Sequence, residues 1–140
     1  MQVKVKKLNS SAIVPQYAKA GDAGLDLVAI TKKEHGDLIE YGTGLAIEIP
    51  TGYVGLLFPR SSIKNYTLSL TNHVGVIDSN YRGEIKVFFR KELGVDQTHY
   101  NTLDRICQLV LIQYPQITLQ LVDELSSTER GDSGFGSSGK

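Results

Sequence analysis

The chain has 140 residues, with Lys+Arg and Asp+Glu both 15, so its formal charge is zero and no global field draws it to nucleic acid or to a membrane surface. That length is one domain's worth and enough to bury a core, and no apolar run is long enough to cross a bilayer. A single cysteine, Cys107, excludes an internal disulfide and reads as a small core residue of a cytoplasmic protein.

Taken in order, residues 3–8 alternate apolar and polar as a strand, not as a signal peptide. The stretch 25–30 is largely apolar, and 44–49 alternates before Pro50-Thr51-Gly52 turns the chain. Strands are further expected over 53–58, 84–89, 105–114 and 117–122. No segment carries a helical stripe, although 62–66 and 95–100 are candidates for a short helical turn. Short strands punctuated by Gly and Pro imply an all-β fold: a sandwich, jelly roll or barrel. Near Ser126 the composition shifts to Ser and Gly. The reading is therefore a β domain over 1–125 and a flexible arm over 126–140, mobile when the protein is empty.

Several stretches carry chemistry. In Ala20-Gly21-Asp22-Ala23-Gly24-Leu25-Asp26-Leu27, Asp26 lies between two leucines on an expected strand, where a carboxylate needs a buried hydrogen bond or a hydrated cation. Both readings stay open. Phe58-Pro59-Arg60-Ser61-Ser62 ends a strand with a guanidinium, hydroxyls and exposed amides, the groups an anion needs, although a polar turn is the commoner meaning. Asn72 both donates and accepts, which suits the edge of a base but equally suits a turn.

Gly75-Val76-Ile77-Asp78-Ser79-Asn80-Tyr81-Arg82-Gly83 reads as a β-hairpin bearing one carboxylate and one aromatic at its rim. An aspartate held there can deprotonate a water, and a tyrosine can close over a ring. Asp104-Arg105-Ile106-Cys107-Gln108-Leu109 opens a buried strand. Gln108 there needs several partners and should face a polar site, whereas Asp104 and Arg105 fit a strand-end structural role.

The tail Arg130-Gly131-Asp132-Ser133-Gly134-Phe135-Gly136-Ser137-Ser138-Gly139-Lys140 has three look-alikes. A P-loop lacks its strand and following helix, a serine-protease nucleophile lacks its double barrel, and an adhesion tripeptide lacks its extracellular setting. The donors remain. Glycine amides and serine hydroxyls between two cations can wrap phosphates, and Phe135 can lay its ring on something flat. His35, His73 and His99 lack metal-ligand spacing, so no protein-built metal site is expected.

These five stretches, in this order, resemble the homotrimeric dUTP pyrophosphatases (dUTPases) over about residues 20–140. The resemblance implies a jelly-roll-like β-barrel and Mg²⁺-dependent hydrolysis of dUTP to dUMP and pyrophosphate. Asp78 would activate the attacking water and touch the sugar 3′-hydroxyl, and Tyr81 would pack under the deoxyribose. Asn72 and the backbone of Gly75, Val76 and Ile77 would read uracil, with Phe135 stacked upon it. Arg60, Ser61, Ser62, Gln108, Arg130, Gly136, Ser137 and Ser138 would bind phosphates, and Asp26 would hold a water on the magnesium. Three sites would be shared within a homotrimer. Ser62 and Leu103 stand where glycine is usual, and Cys107 where alanine is usual.

Two other classes compete. The dCTP deaminases resemble this chain in fold and in the Arg60-Ser61-Ser62 turn, but place a glutamate on the strand where Lys86-Val87-Phe88-Phe89 stands. A regulatory protein-binding role is compatible with catalysis, with no partner named by the sequence.

Overall fold

The computed structural model describes residues 1–92, 94 and 98–134. Ten strands build it: β1 (Lys4–Lys7), β2 (Leu25–Val28), β3 (Thr31–His35), β4 (Leu38–Gly42), β5 (Leu45–Glu48), β6 (Tyr53–Pro59), β7 (Leu68–Leu70), β8 (Gly75–Ile77), β9 (Lys86–Lys91) and β10 (Arg105–Gln113). A short 3-10 turn, Ser61–Asn65, follows β6 close to the helical turn expected over 62–66. Of the other such turn, over 95–100, residues 95–97 lie outside those described and 98–100 carry no helix. No helix among the described residues is long and apolar enough to cross a membrane.

Two four-stranded sheets, β2-β10-β6-β8 and β3-β4-β9-β7, enclose the core, and β1 pairs with β5 in a third ribbon. All their pairings are antiparallel, so the all-β, jelly-roll-like expectation holds. Alternation explains how the faces divide. On β9 Val87 and Phe89 point inward while Lys86, Phe88 and Arg90 point out. At the centre Tyr41, Phe89 and Tyr100 meet at ring distances of 5.6–6.3 Å, and Tyr41 donates its hydroxyl to the Tyr100 carbonyl at 2.9 Å. Cys107 lies wholly buried there, and burial pushes its thiol up to about 12.

Three expectations need correction. Strands β3 and β4 form a hairpin around Gly36 that the sequence reading missed, because Thr31–His35 is an edge strand with a charged outer face. Its charges are met by neighbours: Lys91 bridges to Glu34 at 2.7 Å and Lys86 to Glu40 at 2.8 Å. The expected strand over 117–122 is not formed: among the described residues that segment pairs with no strand. Ile117, Leu119 and Leu121 stand 71%, 86% and 99% exposed. Finally, β8 and β9 do not form a hairpin. β8 pairs with β6 and β9 with β4 and β7, so the segment 78–85 crosses from one sheet to the other.

The turn leading into β10 is held by Ala29, whose carbonyl accepts the Leu103 amide at 2.7 Å and whose amide donates to the Asp104 carbonyl at 3.0 Å. Leu103 there adopts φ 73°, a left-handed conformation that its Cβ disfavours, with its side chain 69% exposed. Leu103→Gly relieves the strain without losing core contacts. It should raise the unfolding free energy by about 0.5–1 kcal/mol, allowing for the greater freedom of glycine in the unfolded chain. A higher urea midpoint at unchanged slope is the expected result.

Candidate functional site

Asp26 sits on β2 with its carboxylate 19% exposed, on the opposite face from the fully buried Leu27. Charge held that far from water requires partners. Arg60 supplies one, its Nε donating to Asp26 Oδ1 at 2.8 Å, and Arg105 supplies the other through Nη1 to Oδ2 at 3.3 Å. The Arg60 guanidinium also reaches the Ser62 hydroxyl at 3.3 Å and the Arg105 carbonyl at 3.4 Å. Pro59 ends β6 just before Arg60, and its carbonyl accepts from Gln108 Nε2 at 3.1 Å.

A bulge makes this arrangement possible. Strand β10 pairs Arg105 with Val28 and Cys107 with Leu27, skipping Ile106. Ile106 and Cys107 therefore both enter the core. Arg105 and Gln108, three positions apart, would face opposite sides of a regular strand but here line one cavity. That cavity, of about 380 Å³, is bounded by Asp26, Arg60, Ser61, Arg105, Gln108 and Gly24 among others. The carboxylates of Asp22 and Asp26 balance the two guanidinium groups in formal charge, and what the cavity offers an anion is its set of donors from Arg60, Ser61, Arg105 and Gln108.

A second concavity of about 230 Å³ lies on the segment between the sheets, lined by Val76, Ile77, Asp78, Tyr81, Glu84, Lys86 and Phe88. Asp78 is exposed, and the Tyr81 amide donates to its backbone carbonyl at 3.1 Å, closing a turn. The Tyr81 hydroxyl donates to the Glu84 carbonyl at 3.0 Å. Asn72 lines an adjoining apolar groove that shares Lys86 and Phe88 with this concavity. Gly75 packs its backbone against Leu57, where a Cβ would stand 3.0 Å away.

The sequence-predicted residues thus divide. Asp26, Arg60, Ser61 and Gln108 meet in one cavity with Ser62 tied to Arg60, while Val76, Ile77, Asp78 and Tyr81 meet in the other, and the two share no lining residue. Arg130 joins neither; its Nε donates to the Ser133 carbonyl at 3.0 Å inside the tail. Phe135, Gly136, Ser137 and Ser138 lie outside the described residues.

Sequence reasoning missed the site roles of Arg105, Gly24, Glu84 and Lys86. Arg105 had been given only a structural role at its strand end. The three-residue spacing to Gln108 argued against a shared face, and only the bulge reconciles the two.

Among the described residues no three His, Cys, Asp or Glu side chains cluster as metal ligands. Asp26 has both oxygens turned to guanidinium groups, yet a carboxylate retains further lone pairs. Such a donor set fits a divalent cation through an intervening water, with substrate oxygens as the direct ligands.

The chain is similar to known proteins over nearly its whole length. The dUTPase family model matches residues 10–139. The deoxyuridine 5′-triphosphate nucleotidohydrolase of Nautilia profundicola is 41% identical, with both chains covered completely. That of Corynebacterium glutamicum is 40% identical over 99% of this chain and 95% of its own. Among solved structures, the dUTPase of Staphylococcus bacteriophage 80alpha with dUpNHpp superposes at a TM-score of 0.84, with 28% identity and 99% of each chain covered.

Gly24 is the floor beneath Gln108, since a Cβ added there would stand 2.4 Å from Gln108 Oε1. Gly24→Ala should push the Gln108 amide out of line and weaken binding of a nucleoside triphosphate by about ten- to a hundredfold, the scale of one hydrogen bond to a charged group. Titration calorimetry reads that loss. The melting temperature should fall as well, because the displaced amide loses the Pro59 carbonyl and the methyl also crowds Gln108 Cβ at 3.1 Å.

Proposed function

The chain belongs to the dUTPase family, and from that premise we propose that it hydrolyses dUTP to dUMP and pyrophosphate, through a water activated by Asp78. In a cytoplasmic setting that activity limits uracil in DNA and supplies dUMP for thymidylate synthesis. The observation that carries the reading is the exposed Asp78 carboxylate beside Tyr81 in one concavity, with the guanidinium, hydroxyl and amide donors of Arg60, Arg105, Ser61 and Gln108 gathered in the other.

A triphosphate carries about four negative charges near neutral pH, so binding begins as electrostatics. Arg60, with the hydroxyls of Ser61 and Ser62, holds the outer phosphates, and Gln108 donates to the phosphate nearest the sugar. Its amide is already oriented by the Pro59 carbonyl. Asn72 and the backbone of Gly75, Val76 and Ile77 read the uracil edge. The Tyr81 ring packs under the deoxyribose and leaves no room for a 2′-hydroxyl. Asp78 then takes a proton from a water aligned with the α-phosphorus. The new P–O bond forms as the bond to pyrophosphate breaks. Mg²⁺ arriving with the phosphates supplies neutralisation of the charge on the leaving group. Asp26 holds one of the waters around it. Arg130, Phe135, Gly136, Ser137 and Ser138 close over the nucleotide, with Phe135 on uracil, and exclude solvent.

A homotrimer with shared sites follows from the same reading, and two features support it. The phosphate cavity and the Asp78 concavity share no lining residue within one chain. Residues 117–121 display alternating apolar side chains that none of the described residues covers.

A dCTP deaminase would release ammonia, and the position resembling its glutamate is occupied here by β9 residues with no carboxylate between Lys86 and Lys91. Incubation with each deoxynucleoside triphosphate and Mg²⁺ separates the two. Pyrophosphate from dUTP alone is expected, and ammonia from dCTP sinks the reading. In the same assay Asp78→Asn should still bind dUTP while kcat falls by about 10²–10⁴-fold, the usual contribution of a general base.

Deleting 126–140 should leave the melting temperature unchanged, since the arm contributes nothing to the described core. It should also leave a trimer in sedimentation while removing most turnover. Near-full activity of the truncated chain, or a fully active monomer, contradicts the arrangement.

A further inference from the structure

We propose that Gly83 determines sugar specificity: the absence of its Cβ provides the seat on which the Tyr81 ring rests, and that seat fixes how closely the ring approaches the sugar. The inference rests on the reading of Tyr81 given above and extends it to a second residue.

A Cβ built on Gly83 would stand 2.4 Å from the Tyr81 hydroxyl oxygen, 2.5 Å from Cζ and 3.0 Å from Cε2. These are the three nearest heavy atoms, and all belong to one ring. Gly83 is not among the glycines with positive φ, so its backbone is open to any L-residue. What excludes a side chain at 83 is therefore the tyrosine.

A hydrogen bond pins that same end of the ring. Its hydroxyl donates to the Glu84 carbonyl at 3.0 Å. That carbonyl belongs to a segment with little freedom. The Gly44 amide donates to Glu84 Oε1 at 2.8 Å, the Ile85 amide to the Leu45 carbonyl at 2.8 Å, and the Thr43 hydroxyl to the Ile85 carbonyl at 2.8 Å. Two buried residues, Thr43 and Ile85, thus anchor the acceptor to the β4–β5 connection. Tyr81 itself is on the surface, where an unpinned ring would sweep through several rotamers. Excluding one hydroxyl group is a matter of a fraction of an ångström, so a wall that discriminates by sterics must be fixed. The space left by Gly83 and the bond to Glu84 together fix its hydroxyl end. A methyl at 83 drives the ring off its seat and breaks the hydroxyl's bond, moving the wall away from the 2′ position.

The experiment is a double-mutant cycle on the full-length protein with Mg²⁺, comparing kcat/KM for dUTP and UTP in wild type, Gly83→Ala, Tyr81→Ala and the double variant. Gly83→Ala should reduce the dUTP preference by about ten- to a hundredfold, the scale of one steric contact. In the Tyr81→Ala background the same change should add nothing, because the atoms it displaces are gone. A residue needed only for backbone shape would add its effect in both backgrounds.

If Tyr81→Ala relaxes the preference and Gly83→Ala does not, the proposal is overturned while the reading of Tyr81 stands. An unchanged preference in Tyr81→Ala overturns both, with dUTP hydrolysis itself intact. Should Gly83→Ala alone fail to fold, the double variant decides: recovery of the Tyr81→Ala melting temperature supports the proposal, and continued unfolding overturns it.

Discussion

A half-buried carboxylate governs this molecule. Asp26 sits on a strand between Leu25 and Leu27 with only a fifth of its side chain in reach of water, and no arrangement of apolar neighbours could stabilise it there. Arg60 must come from the end of β6 and Arg105 from the start of β10 to meet it. The three strands that carry these residues are neighbours in one sheet. The ion cluster is therefore a fixed corner of the fold as well as the proposed anion site. Removing either arginine leaves the other to balance Asp26 alone and takes away a donor group that a polyphosphate would use.

The bulge in β10 follows from that demand. A regular strand cannot show both Arg105 and Gln108 to the same side, so one residue is inserted and both Ile106 and Cys107 turn inward. β6 ties this corner to the other concavity, pairing with β10 along one edge and with β8 along the other. From the end of β8 the chain crosses to the second sheet, and the crossing holds Asp78 and Tyr81. A segment strung between two sheets is anchored at both ends, a firmer mount than the tip of a hairpin.

Much of this was legible in the residues. Alternation and turn residues located β1, β2, β5, β6 and β10, and the chemistry of Asp26, Arg60, Ser61 and Gln108 was assigned to stretches that do converge. The rest was hidden for separate reasons. Thr31–His35 presents charge because it is an edge strand whose partners are cross-strand ions, and charge masks a strand signal. The partners of β8 and β9 depend on contacts with strands far away in sequence, so adjacency along the chain misled. Residues 117–122 alternate as a strand does, but alternation specifies a face and not an edge to pair with. Gly24 and Gly83 matter through what an added atom would strike, which no sequence pattern records.

Cys107 stands one residue from Gln108, and a thiol so near an anion site would ordinarily be exposed to attack by peroxide. Only the thiolate reacts readily. Burial pushes the group well above the ordinary thiol range, so the unreactive thiol form prevails at neutral pH. Sealed beneath the bulge, the sulfur is redox-silent for as long as the strand stays paired. Its oxidation therefore records a past excursion to the unfolded state, leaving a chemical scar on chains that once opened and none on those that did not.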